Sequence, residues 1–394
     1  MQRRLLLFLS GILLGVSFSH ADHMVQTPPL ELVKDYKLDP AYEKCVIADG
    51  LPIVGSKKVN DIALLEAAWL IDHMLAKRPE IRASMVKQKV RMAIMAHDEY
   101  TTSVPEHRTL APSRYWDKRA RGLGASPHRP AVSCGEENLL CLTGDPYGTE
   151  NILIHEFGHA LHQMGLNQVD PTFDRRLEKC YREAMQAGLW KGKYASVNRM
   201  EYWAEGVQSW FDTNRENDHD HNHVNTREEI KAYDPELSKL LLEVFGDDAW
   251  RYQRPEKRTN PEHFKGYDWA GAPKFEWPKE LNAWTEKGLS TPEIHPAGLK
   301  DIPFTPLAEK APPPNSTEAG GGESGLIIAN ATTKELSIAW VDHKGKLHPH
   351  GFVRPSFVSL LETHPGHVWL VTQEDGTPVG FTTAEKGDCR AVVK

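Results

Sequence analysis

The sequence predicts an α+β protein, in which a mostly helical region with a small sheet is followed by a small all-β sandwich module. Three observations support this prediction. Apolar residues recur with helical spacing in several segments of residues 61–245. Residues 311–325 are rich in Pro, Gly and Ser and have no apolar period, which is typical of a linker. Residues 326–394 contain short alternating runs separated by turns, which is typical of strands.

The composition is that of a folded globular protein. Of the 394 residues, 40% are hydrophobic and 26% are charged, which excludes a mostly disordered chain. A single hydrophobic core stops growing at about 250–300 residues, so the length indicates two or three domains. The net charge is −7 and shows no basic excess, so we expect no nucleic-acid partner.

Residues 1–21 are predicted to be a secretory signal peptide. Two arginines precede the apolar run 5–16, and small residues at positions 19 and 21 suit a cleavage site after Ala21. An uncleaved anchor is the alternative, but the run is shorter than the roughly 20 residues that a membrane-spanning helix needs. We therefore expect a secreted or periplasmic protein with no membrane span after signal cleavage.

Hydrophobic periodicity places the elements of the remaining chain. Apolar alternation predicts one strand at Lys87–Ala96. The segment Asn138–Leu142 is interpreted as a strand, either purely structural or an edge that pairs with an extended peptide. We expect residues 22–310 and 326–394 to form separate domains. Helical periodicity predicts helices at 61–78, about 149–164, 172–188, 198–212 and 234–245.

The strongest functional signal is the run His155-Glu156-Phe157-Gly158-His159. Residues four apart share one face of a helix, so both imidazoles can reach one metal ion. Glu156 would lie beside the ion, where it can take a proton from a water whose pKa the ion lowers. Two incidental histidines are the alternative, but the surrounding residues are apolar and unpaired buried histidines are costly.

A catalytic site of this kind needs a third protein ligand. A histidine six residues after His159 would serve, but position 165 is glycine. A later segment supplies Glu201 and Glu205 among aromatic and aliphatic residues, where a carboxylate usually has a partner. The alternative is a solvated face on which Glu201 pairs with Arg199 or Lys193.

Taken together, HEFGH and the later Tyr194-x6-Glu201-x2-Ala204-Glu205 resemble the gluzincin metallopeptidases related to anthrax lethal factor and the bacterial Pro-Pro endopeptidases. The resemblance covers about residues 149–212. It implies a zincin-like fold for the first domain and a Zn²⁺ ion held by His155, His159 and Glu201.

The same resemblance implies roles for three further side chains. Glu156 would be the general base, and Tyr194 would stabilise the oxyanion of the tetrahedral intermediate. Glu205 would orient a metal-binding histidine from behind. The nearby histidines at 219, 221 and 223 could hold a second metal or line the cleft, or they could belong to a solvated loop. We interpret His162 as structural.

The C-terminal run Thr363-His364-Pro365-Gly366-His367-Val368-Trp369, with Trp340-Val341-Asp342 upstream, resembles the β-domain of the von Hippel–Lindau tumour suppressor. That domain is a β-sandwich that binds hydroxyproline in an extended peptide. The resemblance places His367 and Trp369 in the corresponding pocket, with Thr363 replacing a serine. His350 falls where the family has a tyrosine, which is a departure. Alternatively, His367 and Trp369 simply pack on one face of a strand.

The sequence therefore predicts a secreted zinc metalloendopeptidase that acts on a peptide or protein substrate. The resemblance of its C-terminal module implies that this substrate contains proline or hydroxyproline. Two other classes remain open: a secreted binding protein in which zinc is structural, and a metal hydrolase of non-peptide amides or esters.

Overall fold

The computed structural model describes residues 23–110, 113–127, 129–259, 262–282, 300–308, 311–317, 324–353, 358–373, 375–387 and 389–394. The predicted signal peptide and its alternative as an anchor lie outside these residues. The described chain combines helices with small sheets, which confirms the predicted α+β class. Among the described residues, no helix has the length and apolar character needed to cross a bilayer.

Most of the predicted helices are confirmed, with ends that shift by a few residues. The predicted helix at 61–78 ends earlier than expected, at Leu75, and the Asn60 side chain caps its first turn. The described helices are α1 (Leu30–Tyr36), α2 (Asp61–Leu75), α3 (Pro79–Lys87), α4 (Ser113–Arg119), α5 (Glu136–Leu139), α6 (Ile152–Ala160), α7 (Asn167–Val169), α8 (Phe173–Gln186), α9 (Arg199–Trp210), α10 (Arg227–Tyr233) and α11 (Pro235–Phe245).

A five-stranded mixed sheet lies within the helical part of the chain, in the order β1-β2-β3-β5-β4. Strand β3 is flanked by parallel neighbours, and β4 is an edge strand antiparallel to β5. The strand predicted at Lys87–Ala96 is shorter than expected, because α3 extends through Lys87. The strands of this sheet are β1 (Lys44–Ala48), β2 (Leu51–Gly55), β3 (Arg91–Met95), β4 (Gly122–Leu123) and β5 (Ala131–Gly135).

The interpretation of Asn138–Leu142 as a strand is wrong. The segment begins in the short helix α5, and the Asn138 side chain is used to hold the chain on both sides of the turn that leads to α6. Its Nδ2 donates to the Glu150 carbonyl at 2.9 Å, and its Oδ1 accepts from the Ile152 amide at 2.8 Å. An apolar run of this length is compatible with a strand or with a helical segment. The hydrogen bonds of the Asn138 side chain are made from the helical conformation.

Helices α6 and α9 pack against each other, and both begin at an asparagine cap. The Asn151 side chain accepts from the Ile154 amide, and the Asn198 side chain accepts from the amides of the first turn of α9. Gly158 faces Val207 of α9, and a Cβ at this position would be in ordinary van der Waals contact with that side chain, at 3.5 Å. Trp203 fixes the crossing by donating its Nε1 hydrogen to the Gly158 carbonyl at 3.0 Å.

The C-terminal part of the chain is a sandwich of two sheets, which we call the β-region (described residues 300–394). One sheet has the order β10-β9-β12-β13-β7, and the other has the order β11-β8-β14-β6. A core cluster draws residues from both sheets, including Ile328, Ile338, Trp369 and Val393. The strands are β6 (Lys300–Asp301), β7 (Thr305–Pro306), β8 (Ser324–Asn330), β9 (Leu336–Val341), β10 (Leu347–Val353), β11 (Val358–Thr363), β12 (Val368–Gln373), β13 (Pro378–Thr383) and β14 (Cys389–Val393).

Residues on the N-terminal side of the predicted linker take part in the β-region. Strands β6 and β7 precede residues 311–325 and pair with β14 and β13. Within the predicted linker, the Ser316 hydroxyl accepts hydrogen bonds from the Val368 amide at 2.8 Å and from the Trp340 indole at 3.1 Å. The two-sheet structure thus begins at Lys300, before the segment predicted as a linker. The division of the chain into domains at 310 and 326 stays a prediction.

Candidate metal centre

Three side chains from α6 and α9 converge on one point. His155 and His159 lie one turn apart on α6, and their Nε2 atoms are 3.2 Å from each other. A carboxylate oxygen of Glu201, in the first turn of α9, is 3.2 Å from Nε2 of His155 and 3.3 Å from Nε2 of His159. Among the described residues, these are the three ligating side chains that come together in one group, with ligand atoms within 4.8 Å of one another.

This triangle has the dimensions of a metal site. Ligand atoms held at zinc distances in a tetrahedral arrangement are separated from one another by about 3.3 Å. Two imidazole nitrogens at 3.2 Å with a carboxylate oxygen beside them are the expected set for Zn²⁺, which prefers nitrogen and oxygen or sulfur donors. The residues present therefore fit the ion that the sequence resemblance implies.

The alternative pairing partners of Glu201 are engaged elsewhere. Arg199 donates to the Asp174 carboxylate at 2.8 Å, and Lys193 donates to the Asp218 carbonyl at 3.0 Å. Although burial raises the pKa of Glu201, the neighbouring His159 and His155 hold it well below its ordinary value. Glu201 is thus an ionised carboxylate directed at the two imidazoles.

A glutamine that the sequence analysis missed fixes the orientation of His155. Gln208 lies two helical turns after Glu201, and its Oε1 is 2.8 Å from Nδ1 of His155. Its Nε2 donates to the Glu150 carboxylate at 2.9 Å and to the Asn151 carbonyl at 3.3 Å, so its oxygen must face the histidine. His155 therefore carries its proton on Nδ1, which leaves the Nε2 lone pair for the metal.

Glu205, the predicted orienting residue, lies slightly farther from His155 than Gln208 does. One carboxylate oxygen is 3.6 Å from Nδ1 of His155, and the other is 3.3 Å from Nε2 of His221. Asn214 donates to the same carboxylate at 3.0 Å. Glu205 and Gln208 together form the polar layer behind His155, and His221 anchors that layer to the following loop.

The two side chains predicted to perform the chemistry lie beside the triangle. Burial raises the pKa of Glu156, an effect that His155 and His159 partly offset. The Tyr194 ring lies 6.4 Å from that of His155, and Arg119 donates to its hydroxyl at 3.4 Å. Burial and the charge of Glu201 raise the pKa of Tyr194 above its ordinary value, so its hydroxyl keeps its proton at neutral pH.

Edge strand β4 and the residue that follows it lie directly over α6, where two glycines leave room for the helix. A Cβ at Gly122 would lie 2.4 Å from Cγ2 of Ile152 and 2.9 Å from Cγ of Glu156. A Cβ at Gly124 would lie 2.7 Å from Cβ of His159. The Gly-x-Gly spacing, which places both glycines on one face of a strand, is a second signal that the sequence analysis missed.

The candidate metal centre opens into a cavity with a volume of about 880 Å³. That volume is at the upper end of the range for small-ligand sites, about 300–1,000 Å³. The helical part of the chain provides His155, Glu156, His159, Tyr194 and Glu201 to its lining. The β-region also contributes, through residues 325–327, 350–353, 358, 359 and 361.

The histidines that follow α9 do not gather around a second point. His219 has a largely exposed side chain beside Asp220, whereas His223 packs its ring against Tyr233 at 5.5 Å. His221 is buried, lines the cavity and pairs with Asp218 at 2.9 Å. His162 is also buried, with Nε2 3.1 Å from the Asp174 carboxylate, in agreement with a structural role.

The four side chains predicted to bind a ligand in the β-region lie together. The Trp369 indole donates to the Thr363 hydroxyl at 2.9 Å, and that hydroxyl is 3.2 Å from Nδ1 of His367. The His350 ring meets the Trp369 ring edge to face, with centroids 5.1 Å apart. Thr363 and Trp369 are both 4% exposed, and Trp369 belongs to the sandwich core. Two of the four side chains are therefore used mainly for packing and for hydrogen bonds within the group.

The chain was compared with known proteins in three ways. No protein-family model and no curated protein sequence matches it. Among solved structures, it is similar to a Pro-Pro endopeptidase from Paenibacillus alvei, with 18% sequence identity and a TM-score of 0.30. That match covers 50% of this chain and 99% of the endopeptidase. A likeness of this strength assigns neither an activity nor a substrate, so the site is interpreted from its own geometry.

Proposed function

We propose that this protein is a secreted zinc-dependent endopeptidase. The observation that carries the proposal is the convergence of His155, His159 and Glu201 beside a cavity that also contains Glu156. Catalytic zinc sites keep one coordination position for water or substrate, whereas structural sites are closed by four protein ligands. Three ligands facing a cavity are the arrangement that hydrolysis requires.

The protein residues would share the reaction as follows. When bound, zinc would polarise the scissile carbonyl and lower the pKa of a water molecule. Glu156 would take the proton of the attacking water and pass it to the leaving amine. The Tyr194 hydroxyl would donate a hydrogen bond to the oxyanion, because its proton is retained at neutral pH. Gln208 and Glu205 would hold His155 in its metal-binding orientation.

The alternatives predict different behaviour. A zinc that only stabilises the fold would not need a carboxylate poised beside a cavity, and turnover would be absent. A hydrolase of non-peptide amides or esters would use the same residues, because the ligand set reports the reaction type and not the substrate. Digestion of an unstructured peptide library separates these possibilities.

The decisive variant for the proposed function is Glu156→Gln in the zinc-loaded chain. Loss of the general base should lower kcat about 10²- to 10⁴-fold, while one zinc per chain is retained. His219→Ala is a suitable control, because this largely exposed histidine is outside the cavity. Unchanged turnover in Glu156→Gln, or wild-type turnover that survives metal removal, would contradict the proposal.

Recognition of proline or hydroxyproline by the β-region stays a prediction that rests on the sequence resemblance. The burial of Thr363 and Trp369 leaves mainly His350 and His367 to contact a ligand. The test compares binding of a hydroxyproline peptide and the matching proline peptide to the full chain. Equal affinity for the two peptides would contradict specific recognition of hydroxyproline, and absence of binding to either would contradict the whole prediction; neither result bears on the proposed peptidase activity.

A further inference from the structure

The wall of the cavity opposite the helical part of the chain is formed by strands of the β-region. Four consecutive residues of β10, from His350 to Val353, line the cavity, together with residues of β8 and β11. Successive side chains of a strand point to opposite faces, so four consecutive lining residues mean that the edge of β10 borders the cavity. In agreement, β10 is one of the two edge strands of its sheet among the described residues, and β11 is one of the two edge strands of the other.

Strand β10 makes a close contact with the segment that leads into α9. A Cβ at Gly351 would lie 2.9 Å from the Val197 carbonyl oxygen and 3.1 Å from its Cγ1. Val197 belongs to the short segment that joins Tyr194 to Glu201, so β10 touches the stretch that carries two predicted functional residues. Gly351 also has a φ of 143°, a conformation that other residues rarely adopt. Glycine at position 351 permits both the close contact with Val197 and the positive φ.

Strand β10 has a β-bulge next to Gly351. Pairing with β9 shifts register between Pro349 and Gly351, so His350 is the extra residue. Bulges of this kind redirect a side chain and are frequent next to active sites. The redirected His350 ring is held edge to face against Trp369, in the core of the β-region.

We propose that β10 is the far wall of the substrate cleft, and that an extended peptide binds between β10 and β4 above the metal centre. The proposal rests on the proposed peptidase function and specifies its substrate as an extended chain. Strands β4 and β10 are edge strands on two sides of the cavity. Each can present main-chain hydrogen-bonding groups to an extended peptide. Residues 350–353 would then determine specificity at positions away from the scissile bond.

The test compares a decapeptide library with tetrapeptides that span the same cleavage site and offer fewer residues for contact with β10. In Gly351→Ala, the added Cβ should push β10 away from Val197. We expect the preference for decapeptide over tetrapeptide, measured as the ratio of kcat/KM values, to fall about tenfold, mainly through KM. Gly376→Ala is the matched control, since Gly376 also has a positive φ, of 83°, but a Cβ there meets nothing within 4 Å. This control should keep the wild-type ratio.

If Gly351→Ala fails to fold, a second pair of variants tests whether β10 contacts the substrate. Phe352→Ala removes a side chain that lines the cavity, whereas Leu347→Ala changes a 45% exposed residue of the same strand outside it. Only Phe352→Ala should lower the ratio. If the wild-type chain with zinc cleaves neither substrate, both the proposed function and this inference are wrong. If it cleaves both and neither Gly351→Ala nor Phe352→Ala changes the ratio, this inference alone is wrong.

Discussion

The candidate metal centre and the group formed by His350, Thr363, His367 and Trp369 in the β-region contain similar side chains but use them differently. At the metal centre, the ring nitrogens of His155 and His159 face each other and a carboxylate oxygen across about the width of an ion. In the β-region, the Trp369 indole and the Thr363 hydroxyl satisfy each other and are buried. The first group directs its lone pairs at a common point, which is the arrangement of a ligand-binding site. The second group satisfies its polar atoms by hydrogen bonds within the group, which is the arrangement of a structural core.

The comparison also shows why a motif is more informative on a helix than on strands. The spacing of His155 and His159 is local, so the backbone of α6 alone brings their rings together. The β-region group depends on several strands, on a bulge and on a loop, so its sequence spacing does not fix its geometry. The three predictions below test whether the first group binds metal and the second stabilises the fold.

The largest effect is expected for Trp369→Ala. Truncation of this buried indole should cost about 3–5 kcal/mol of unfolding free energy in the β-region, because it leaves a cavity and removes the hydrogen bond from the indole to the Thr363 hydroxyl. Chemical denaturation followed by circular dichroism measures the loss, with the exposed Leu347→Ala as the control. Zinc content should stay at one ion per chain. A Trp369→Ala variant that kept its stability but lost zinc would mean that the β-region group supports metal binding and not the fold.

The next effect is expected for Tyr194→Phe, a change at the metal centre that should spare stability. Removal of one donor to an oxyanion typically lowers kcat about 10²- to 10³-fold. Tyr181→Phe is the matched control, because its hydroxyl bonds the nearby Ser196 carbonyl at 2.7 Å but does not line the cavity. Steady-state kinetics on an unstructured peptide measure both variants. Equal kcat values for the two would exclude Tyr194 from the reaction.

The smallest effect is expected for Gln208→Leu, which removes the acceptor for Nδ1 of His155. Loss of such a partner typically weakens metal binding about 10- to 100-fold. Competition with a zinc chelator measures the affinity. Gln88→Leu serves as the control, since Gln88 donates to the Met164 carbonyl and neither residue lines the cavity. Unchanged affinity in Gln208→Leu would mean that His155 is held by Glu205 alone.

Much of the helical part of the molecule could be predicted from sequence, because its signals are local. Helices α6, α8, α9 and α11 appear close to their expected places, and the apolar setting of α6 correctly suggested a buried helix. Gln208 was also within reach, since Glu201, Glu205 and Gln208 follow one another at helical spacing. It was missed because a neutral amide does not stand out as a metal-site residue.

The β-region was harder to predict, for a physical reason. Strand β10 contains Pro349 and Gly351, which break the alternation that identifies a strand. Strands β6 and β7 are two residues long and are stabilised by pairing with β14 and β13, which are distant in sequence. A local sequence pattern therefore does not predict them. The position of β10 at the cavity depends on contacts between segments about 150 residues apart in sequence. Such contacts are visible only in three dimensions.

The central claim is most directly tested by a crystal structure of the zinc-loaded full chain, with anomalous scattering recorded at the zinc edge. The account predicts one anomalous peak bonded to Nε2 of His155, Nε2 of His159 and a carboxylate oxygen of Glu201, at about 2.0–2.2 Å. A peak at another site, or a Glu201 carboxylate turned away from the two imidazoles, would contradict it.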